Sequence, residues 1–165
     1  MEYIYRKMNA QDVDSVLEMF KGIKEEKIDM SFANISTKEE VLNFVDNPAE
    51  LTYVVVGDDK PNHVLSLLRG KRTMTPEKQH AAFLTAATHQ DVRGKGFVGK
   101  LIEYGLGEMK KEGVNIARIY VYSDNTSSVN AVKKMNFESA GAVLRHHKNV
   151  ETGEYVNDLI FHKFL

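Results

Sequence analysis

Apolar residues recur along the first half of the chain with two different periods. Within residues 10–26 they return every three or four positions with charged residues between them, which predicts an amphipathic helix. Other apolar segments are short and are bounded by turn-forming residues, as is typical of strands. These strand-like segments are 3–8 (YIYRKM), 50–56 (ELTYVVV), 63–71 (HVLSLLRGK) and 80–88 (HAAFLTAAT). The first half is therefore predicted to hold one strand, a helix and a meander of three strands.

A second, shorter helix is predicted between the first helix and the meander. Ser36 or Thr37 has the character of a helix N-cap, and Glu40 follows at the spacing of a capping box. The helix is expected to end before Pro48, because proline cannot continue it.

The second half of the chain repeats both patterns. Apolar spacing over residues 97–109 predicts a helix that stops at Gly113. The run 117–122 (ARIYVY) is typical of a buried strand, and 124–135 predicts a helix capped by Asp124 or Asn125. Two further strands, 137–147 and 155–165, are joined by a turn at ETGE. Because no linker, repeat or low-complexity tract interrupts these elements, a single domain over residues 1–165 is expected.

Composition narrows the function. A net charge of -1 and a pI near 6.6 provide no field to gather nucleic acid or anionic lipid, so neither is an expected partner. Without cysteine the chain has no disulfide, thiolate metal ligand or catalytic thiol. No apolar run approaches the ~18 residues of a membrane helix, and the N-terminal residues lack the features of a signal peptide. A cytoplasmic location is expected, whereas homodimer formation stays open.

Residues 93–100 (RGKGFVGK) match three phosphate-binding patterns at once. A dinucleotide fold would need the first glycine directly after the first strand, but HQDVR intervenes and some 80 residues precede the motif. A P-loop would need serine or threonine after Lys100, and Leu101 stands there instead. The third pattern, Arg/Gln-x-x-Gly-x-Gly/Ala, is met by Arg93 and Gly96, with Val98 at its last position.

The surroundings of this loop resemble the GNAT acetyltransferase superfamily. Residues 81–106 are similar to its motif A, and 121–141 are similar to its motif B. The motif B matches are Val121, Asn125, Lys134 and Phe137. The resemblance implies an α/β (α+β) fold with a central mixed, mostly antiparallel sheet of about seven strands. About four helices would flank this sheet, with a splay between strands 4 and 5.

The resemblance also implies that the protein uses acetyl-CoA as co-substrate and transfers the acetyl group directly to an amine of a small molecule or peptide. Backbone N–H groups of a glycine turn at a helix N-terminus suit the diphosphate of coenzyme A. Carried over by position, the cofactor-binding residues are Ala86, Ala87, Thr88, Arg93, Gly94, Lys95, Gly96, Phe97, Val98, Gly99, Asn125 and Ser128.

The expected acid and base are less regular than the cofactor motif. The tyrosine that many family members use to protonate the thiolate falls at Val132, and the glutamates that others carry fall at Tyr120 and Ala82. A non-catalytic acyl-CoA-binding sensor is therefore the alternative function. The catalytic candidates are His80, Tyr120, Tyr122 and Ser128.

The acceptor pocket is expected between residues 27–37 (KIDMSFANIST) and the last two strands. Asp29, Glu138 and Asp158 could attract a cationic amine there. No metal is expected: His146 and His147 would point to opposite faces of a strand.

Overall fold

The computed structural model describes residues 1–26 and 31–165, with the side chains of residues 31 and 33 left aside. Seven strands of this part form one sheet in the order β1-β2-β3-β4-β5-β7-β6. The strands are β1 (Tyr3–Lys7), β2 (Glu50–Gly57), β3 (Lys60–Lys71), β4 (Ala81–Thr88), β5 (Ile116–Tyr122), β6 (Glu138–Lys148) and β7 (Tyr155–Phe164). The helices are α1 (Val13–Glu25), α2 (Lys38–Leu42), α3 (Phe97–Lys111) and α4 (Thr126–Lys134).

Two hydrophobic clusters hold the helices against opposite faces of the sheet. On one face, α1 and α2 pack over β2, β3 and the end of β4, with Phe20 and Phe32 stacked at a centroid distance of 4.7 Å. On the other face, α3 and α4 pack over the centre of the sheet through residues such as Leu101, Met109 and Val132. The alternation along each strand explains this division, because successive side chains point to opposite faces.

Side-chain caps fix where α2 and α4 begin. Thr37 accepts the backbone N–H of Glu40 at 3.2 Å, and the Glu40 carboxylate accepts the Thr37 hydroxyl at 3.0 Å. Asn125 accepts the backbone N–H of Ser128 at 3.2 Å. Of the two alternatives offered for each helix, Thr37 and Asn125 are therefore the N-caps.

The strand order places one parallel pair, β4 and β5, inside an otherwise antiparallel sheet. Their pairing starts at Ala81 with Ile116 and ends at Leu84 with Ile119. The predicted architecture, a mostly antiparallel seven-stranded sheet that opens between strands 4 and 5, is confirmed. None of the described helices combines the length and apolar character that a bilayer span requires.

Candidate active site

The centre of the candidate site is the gap that opens where β4 and β5 stop pairing. Beyond Leu84, β4 remains paired with β3 as far as Thr88 opposite Ser66. Beyond Ile119, β5 remains paired with β7 as far as Tyr122. The gap is therefore bordered by the last four residues of β4 and the last three of β5, each held from its outer side.

Backbone alternation decides which N–H groups of β4 face this gap. The N–H of His89 donates to Leu65 of β3 at 2.8 Å, and the Ala87 carbonyl accepts the Ser66 hydroxyl at 3.0 Å. Peptide groups of alternate residues point to opposite sides of a strand, so Ala87 turns its N–H toward β3 as well. Ala86 and Thr88 turn theirs toward the gap. Of the three β4 residues that the resemblance assigns to cofactor binding, only Ala86 and Thr88 therefore turn their backbone N–H groups toward the gap.

The predicted glycine turn follows β4 after a short 3-10 helix at Gln90–Val92, and it opens α3. Gly94 and Gly96 both have left-handed backbones, with φ of 77° and 80°, which glycine adopts without a steric cost. A Cβ added at either position would meet nothing within 4 Å in the described part of the chain. The space above the turn is open, and these glycines are needed for their backbone conformation.

The N-terminus of α3 differs from those of α2 and α4 because it has no side-chain cap among the described residues. Its N-cap is Gly96, which offers no side chain. The first intrahelical bond of this turn, from the N–H of Lys100 to the Gly96 carbonyl, is long at 3.5 Å. The preceding N–H groups, those of Phe97, Val98 and Gly99, are the ones that every helix leaves without an intrahelical acceptor. They form a set of donors suited to an anion.

The side chains of the turn divide between solvent and the core. Lys95 is exposed, whereas Phe97 is buried against Tyr3, with ring centroids 4.7 Å apart. Val98 has no positive φ and packs against the core beneath α3. Arg93 is engaged elsewhere: its guanidinium lies 2.8 Å from the carboxylate of Glu26.

Glu26 is a residue that sequence reasoning did not connect with this site. It is the C-cap of α1 and reaches Arg93 across 67 positions of sequence, and Arg93 also donates to the Thr88 carbonyl at 3.3 Å. The pair thus joins the glycine turn to the end of α1. No local pattern could have indicated it, because the contact depends on how α1 packs over the sheet.

The α4 side of the gap carries Asn125, Ser128 and Val132. The Asn125 side-chain oxygen is used as the helix cap, and Ser128 is half-buried one turn below it. Val132 is 3% exposed and belongs to the core that α3 and α4 share. The position at which the family places a proton donor is therefore filled by a buried aliphatic side chain.

Tyr120 and Tyr122 lie on the face of β5 that is opposite to α3 and α4. Val121 points into the core, so its two neighbours point the other way. Tyr120 is 52% exposed and contacts Phe83 with ring centroids 5.1 Å apart. Tyr122 stacks on His147 at 4.6 Å with an interplanar angle of 16°. Both hydroxyl-bearing rings thus border the open end of the gap.

The structure does not bring His80 together with the other predicted residues. It lies just before β4, and its carbonyl accepts the N–H groups of Asn115 and Ile116. Thr88 is eight residues further along the same extended strand, a span of about 26 Å. His80 is exposed at the closed end of the β4–β5 pair, far from the glycine turn.

The predicted acceptor carboxylates occupy different places. Glu138 is exposed at the start of β6, and Asp158 lies opposite Tyr122 in the β5–β7 pair. Asp29 lies outside the described residues. Within the part of the chain that the structure covers, no group of three or more histidine, aspartate or glutamate side chains could hold a metal ion.

Comparison with known proteins identifies the family to which this chain is similar. The model of the acetyltransferase (GNAT) family matches residues 16–137, which include the sheet centre, the glycine turn and α4. No curated protein resembles this chain closely enough in sequence to count as a match.

Solved structures share the fold at low sequence identity. An acetyltransferase of the GNAT family from Streptococcus pneumoniae superposes with a TM-score of 0.87 at 15% identity, over 99% of this chain and 100% of that one. The ribosomal-protein-alanine N-acetyltransferase of Brucella melitensis gives 0.82 at 15%, over 98% and 99%. The yncA protein of Salmonella typhimurium, solved with its cofactor acetyl-CoA, gives 0.83 at 12%, over 99% and 94%. With its family match over most of the chain and its GNAT-like sheet, this protein belongs to the GNAT acetyltransferase family.

Proposed function

We propose that this protein is an acetyl-CoA-dependent N-acetyltransferase that moves an acetyl group directly to a primary amine of a small molecule or peptide. The observation that carries the proposal is the uncapped N-terminus of α3, which follows two left-handed glycines and adjoins the β4–β5 gap. One sheet contains strands from both ends of the chain, which supports a single catalytic domain over residues 1–165.

Each part of the cofactor would meet groups suited to it. The N–H groups at the start of α3, together with Gly94, Lys95 and Gly96, would bind the diphosphate, since the helix end carries partial positive charge. The N–H groups of Ala86 and Thr88 would donate to the pantetheine and thioester along the gap. Asn125 and Ser128 would contact the cofactor from the α4 side.

The diphosphate and Glu26 would compete for Arg93. The guanidinium is paired with that carboxylate, so its contribution to the cofactor would require Arg93 to reorient or to bind both groups. The glycine pattern alone does not reveal this competition, because Glu26 lies outside the pattern.

Acetyl-CoA supplies the acetyl group when it is bound. The protein would orient the amine nitrogen toward the thioester carbon and accept the proton that the amine loses. It would also donate a proton to the departing thiolate sulfur. Tyr120, Tyr122 and Ser128 are the candidates for the last of these tasks. Because the cysteine-free chain has no thiol, the acetyl group would not pass through a cysteine acyl-enzyme.

The proposal is tested by ligand binding and turnover. Acetyl-CoA should raise the melting temperature whereas NAD and ATP at equal concentration should not, and CoA release should be detected with a panel of primary amines. Tyr120→Phe, Tyr122→Phe and Ser128→Ala, each made alone, should identify the proton donor by a fall in kcat of about 10²- to 10⁴-fold. Tyr155→Phe is the matched control, because Tyr155 is an equally exposed tyrosine at the start of β7.

The alternative is a non-catalytic acyl-CoA-binding sensor. It is favoured by Val132 and Ala82, both of which are buried apolar residues where family members place acid or base groups. Saturable acetyl-CoA binding without CoA release from any amine in the panel would select it.

A further inference from the structure

The carboxylate of Asp158 has an oxygen that lacks a partner although it is shielded from solvent. In the described chain only two buried side-chain atoms accept or donate no hydrogen bond, and they are Thr52 Oγ1 and Asp158 Oδ1. Buried polar groups are nearly always hydrogen-bonded, so an orphaned carboxylate oxygen points to a ligand or water that completes it. Thr52 lies on β2 within the sheet, whereas Asp158 lies on β7 opposite Tyr122, the last residue of β5.

Strand register places Asp158 on the open face of the site. It is opposite Tyr122 across the β5–β7 pair, and it points away from α3 because its neighbour Leu159 packs against the core there. Tyr120 is its diagonal neighbour on the same face, since Tyr120 pairs with Ile160, and diagonal neighbours lie about 7–8 Å apart. The carboxylate therefore lies near the end of β5 at which the gap is open.

Aromatic surface lies next to this carboxylate. Tyr120 is 52% exposed and Phe83 is 38% exposed, and their rings are in contact at 5.1 Å. Aromatic faces attract cations and bind apolar groups, and a carboxylate binds an ammonium group by charge-assisted hydrogen bonds. The two features together fit a molecule with a positively charged nitrogen and an apolar substituent.

We propose that Asp158 binds the ammonium group of the acceptor and that Phe83 and Tyr120 bind its apolar substituent. The acceptor class is thus a cationic primary amine on an alkyl or aryl group. This inference rests on the proposed acetyltransferase function, but the binding that it describes is measurable without turnover.

Calorimetry on the CoA-loaded protein tests the binding directly. The probes are benzylamine and n-butylamine, with benzyl alcohol and n-butanol as uncharged counterparts. The wild type should bind the amines, and Asp158→Asn should weaken them about tenfold or more, as expected when a hydrogen bond to a charged group is lost. Glu151→Gln is the matched control: it removes a carboxylate from the exposed turn between β6 and β7 and should change amine affinity less than twofold.

The alcohols separate a contact with the charge from a general loss of structure. They should bind Asp158→Asn and the wild type equally, because they carry no ammonium group. Asp158→Asn should also retain the wild-type melting temperature and its rise with acetyl-CoA, and Asp158→Ser is the second variant if the amide disturbs folding. Turnover adds a second readout, in which the KM for the amine rises tenfold while the KM for acetyl-CoA is unchanged.

The outcomes distinguish this inference from the proposed function. Amine binding that depends on Asp158 without any CoA release would support the ammonium site and refute the transferase. CoA release with an amine KM that Asp158→Asn leaves within twofold would refute the ammonium site and support the transferase. A wild type that binds neither amine would overturn the ammonium site outright.

Discussion

Replacing Gly96 with valine tests whether the turn before α3 binds the coenzyme A diphosphate. Gly96 has φ 80° and ψ 12°, a left-handed conformation that costs an L-residue about 1–2 kcal/mol. A new Cβ would meet no described atom within 4 Å, so backbone strain and not a clash sets the effect on the free protein. For a chain of this length that strain should lower the melting temperature by about 2–8 °C.

The effect on the cofactor should be larger than the effect on the fold. Acetyl-CoA at 100 times its dissociation constant stabilises the wild type by about 2.7 kcal/mol, or about 5–11 °C. Valine places methyl groups in the open space that the diphosphate needs, and losing two charge-assisted hydrogen bonds there weakens binding by about 100-fold or more. At the same concentration the stabilisation then falls to about 0.4 kcal/mol, or roughly 1 °C.

The assay is a thermal melt with and without acetyl-CoA, with Gly107→Ala as the control. Gly107 is exposed in the middle of α3, and a Cβ there also meets nothing within 4 Å of the described chain. Its backbone is helical, so alanine should stabilise the helix by about 0.5–1 kcal/mol and leave the acetyl-CoA shift unchanged. If Gly96→Val retains the full wild-type shift, the diphosphate does not bind at this turn.

Three further predictions concern ion pairs and the core. Glu26→Gln should tighten CoA binding up to about fivefold by releasing Arg93, as an exposed ion pair stores at most about 1 kcal/mol; weaker binding in calorimetry would show that the pair instead positions Arg93. Asp12→Ala should cost about 3 kcal/mol in urea unfolding, because buried Asp12 accepts two hydrogen bonds from Arg6, and a loss below 1 kcal/mol would contradict this. Burial raises the pKa of Tyr53, so the unfolded chain ionises first above pH 10 and stability falls by up to about 1.4 kcal/mol per pH unit; Tyr53→Phe should reduce that slope, and equal slopes would refute the assignment.

Backbone conformation was the part of the site that the sequence predicted well. Asn136, just before the motif B residue Phe137, has a φ of 66°, a left-handed value that asparagine adopts more readily than most other residues. Gly94 and Gly96 likewise adopt positive φ in the turn. Such positions are predictable because few residue types can adopt these angles, so the residue type carries the information.

Burial of β5 was predicted less well. Apart from Arg118 the run 117–122 carries apolar or aromatic side chains and is expected to be buried, yet Tyr120 is among the more exposed large side chains. The helices explain the difference: α3 and α4 cover one face of β5, whereas α1 and α2 pack over β2, β3 and the end of β4. Sequence alternation shows which residues share a face of a strand, but it does not show which neighbouring element covers that face.

The cofactor half and the acceptor half of the proposed site differ in how their residues are distributed along the sequence. The proposed cofactor half consists of backbone groups of β4, the glycine turn and α3, so its signal lies in one uninterrupted stretch of sequence. The proposed acceptor half combines Phe83 on β4, Tyr120 on β5 and Asp158 on β7, which are brought onto one face by the register of three strands. Changes in any one of these strands can alter the acceptor half while leaving the glycine turn intact. It follows that family membership can be recognised from the turn together with the strand and helices around it, whereas acceptor choice has to be measured on the three strands together.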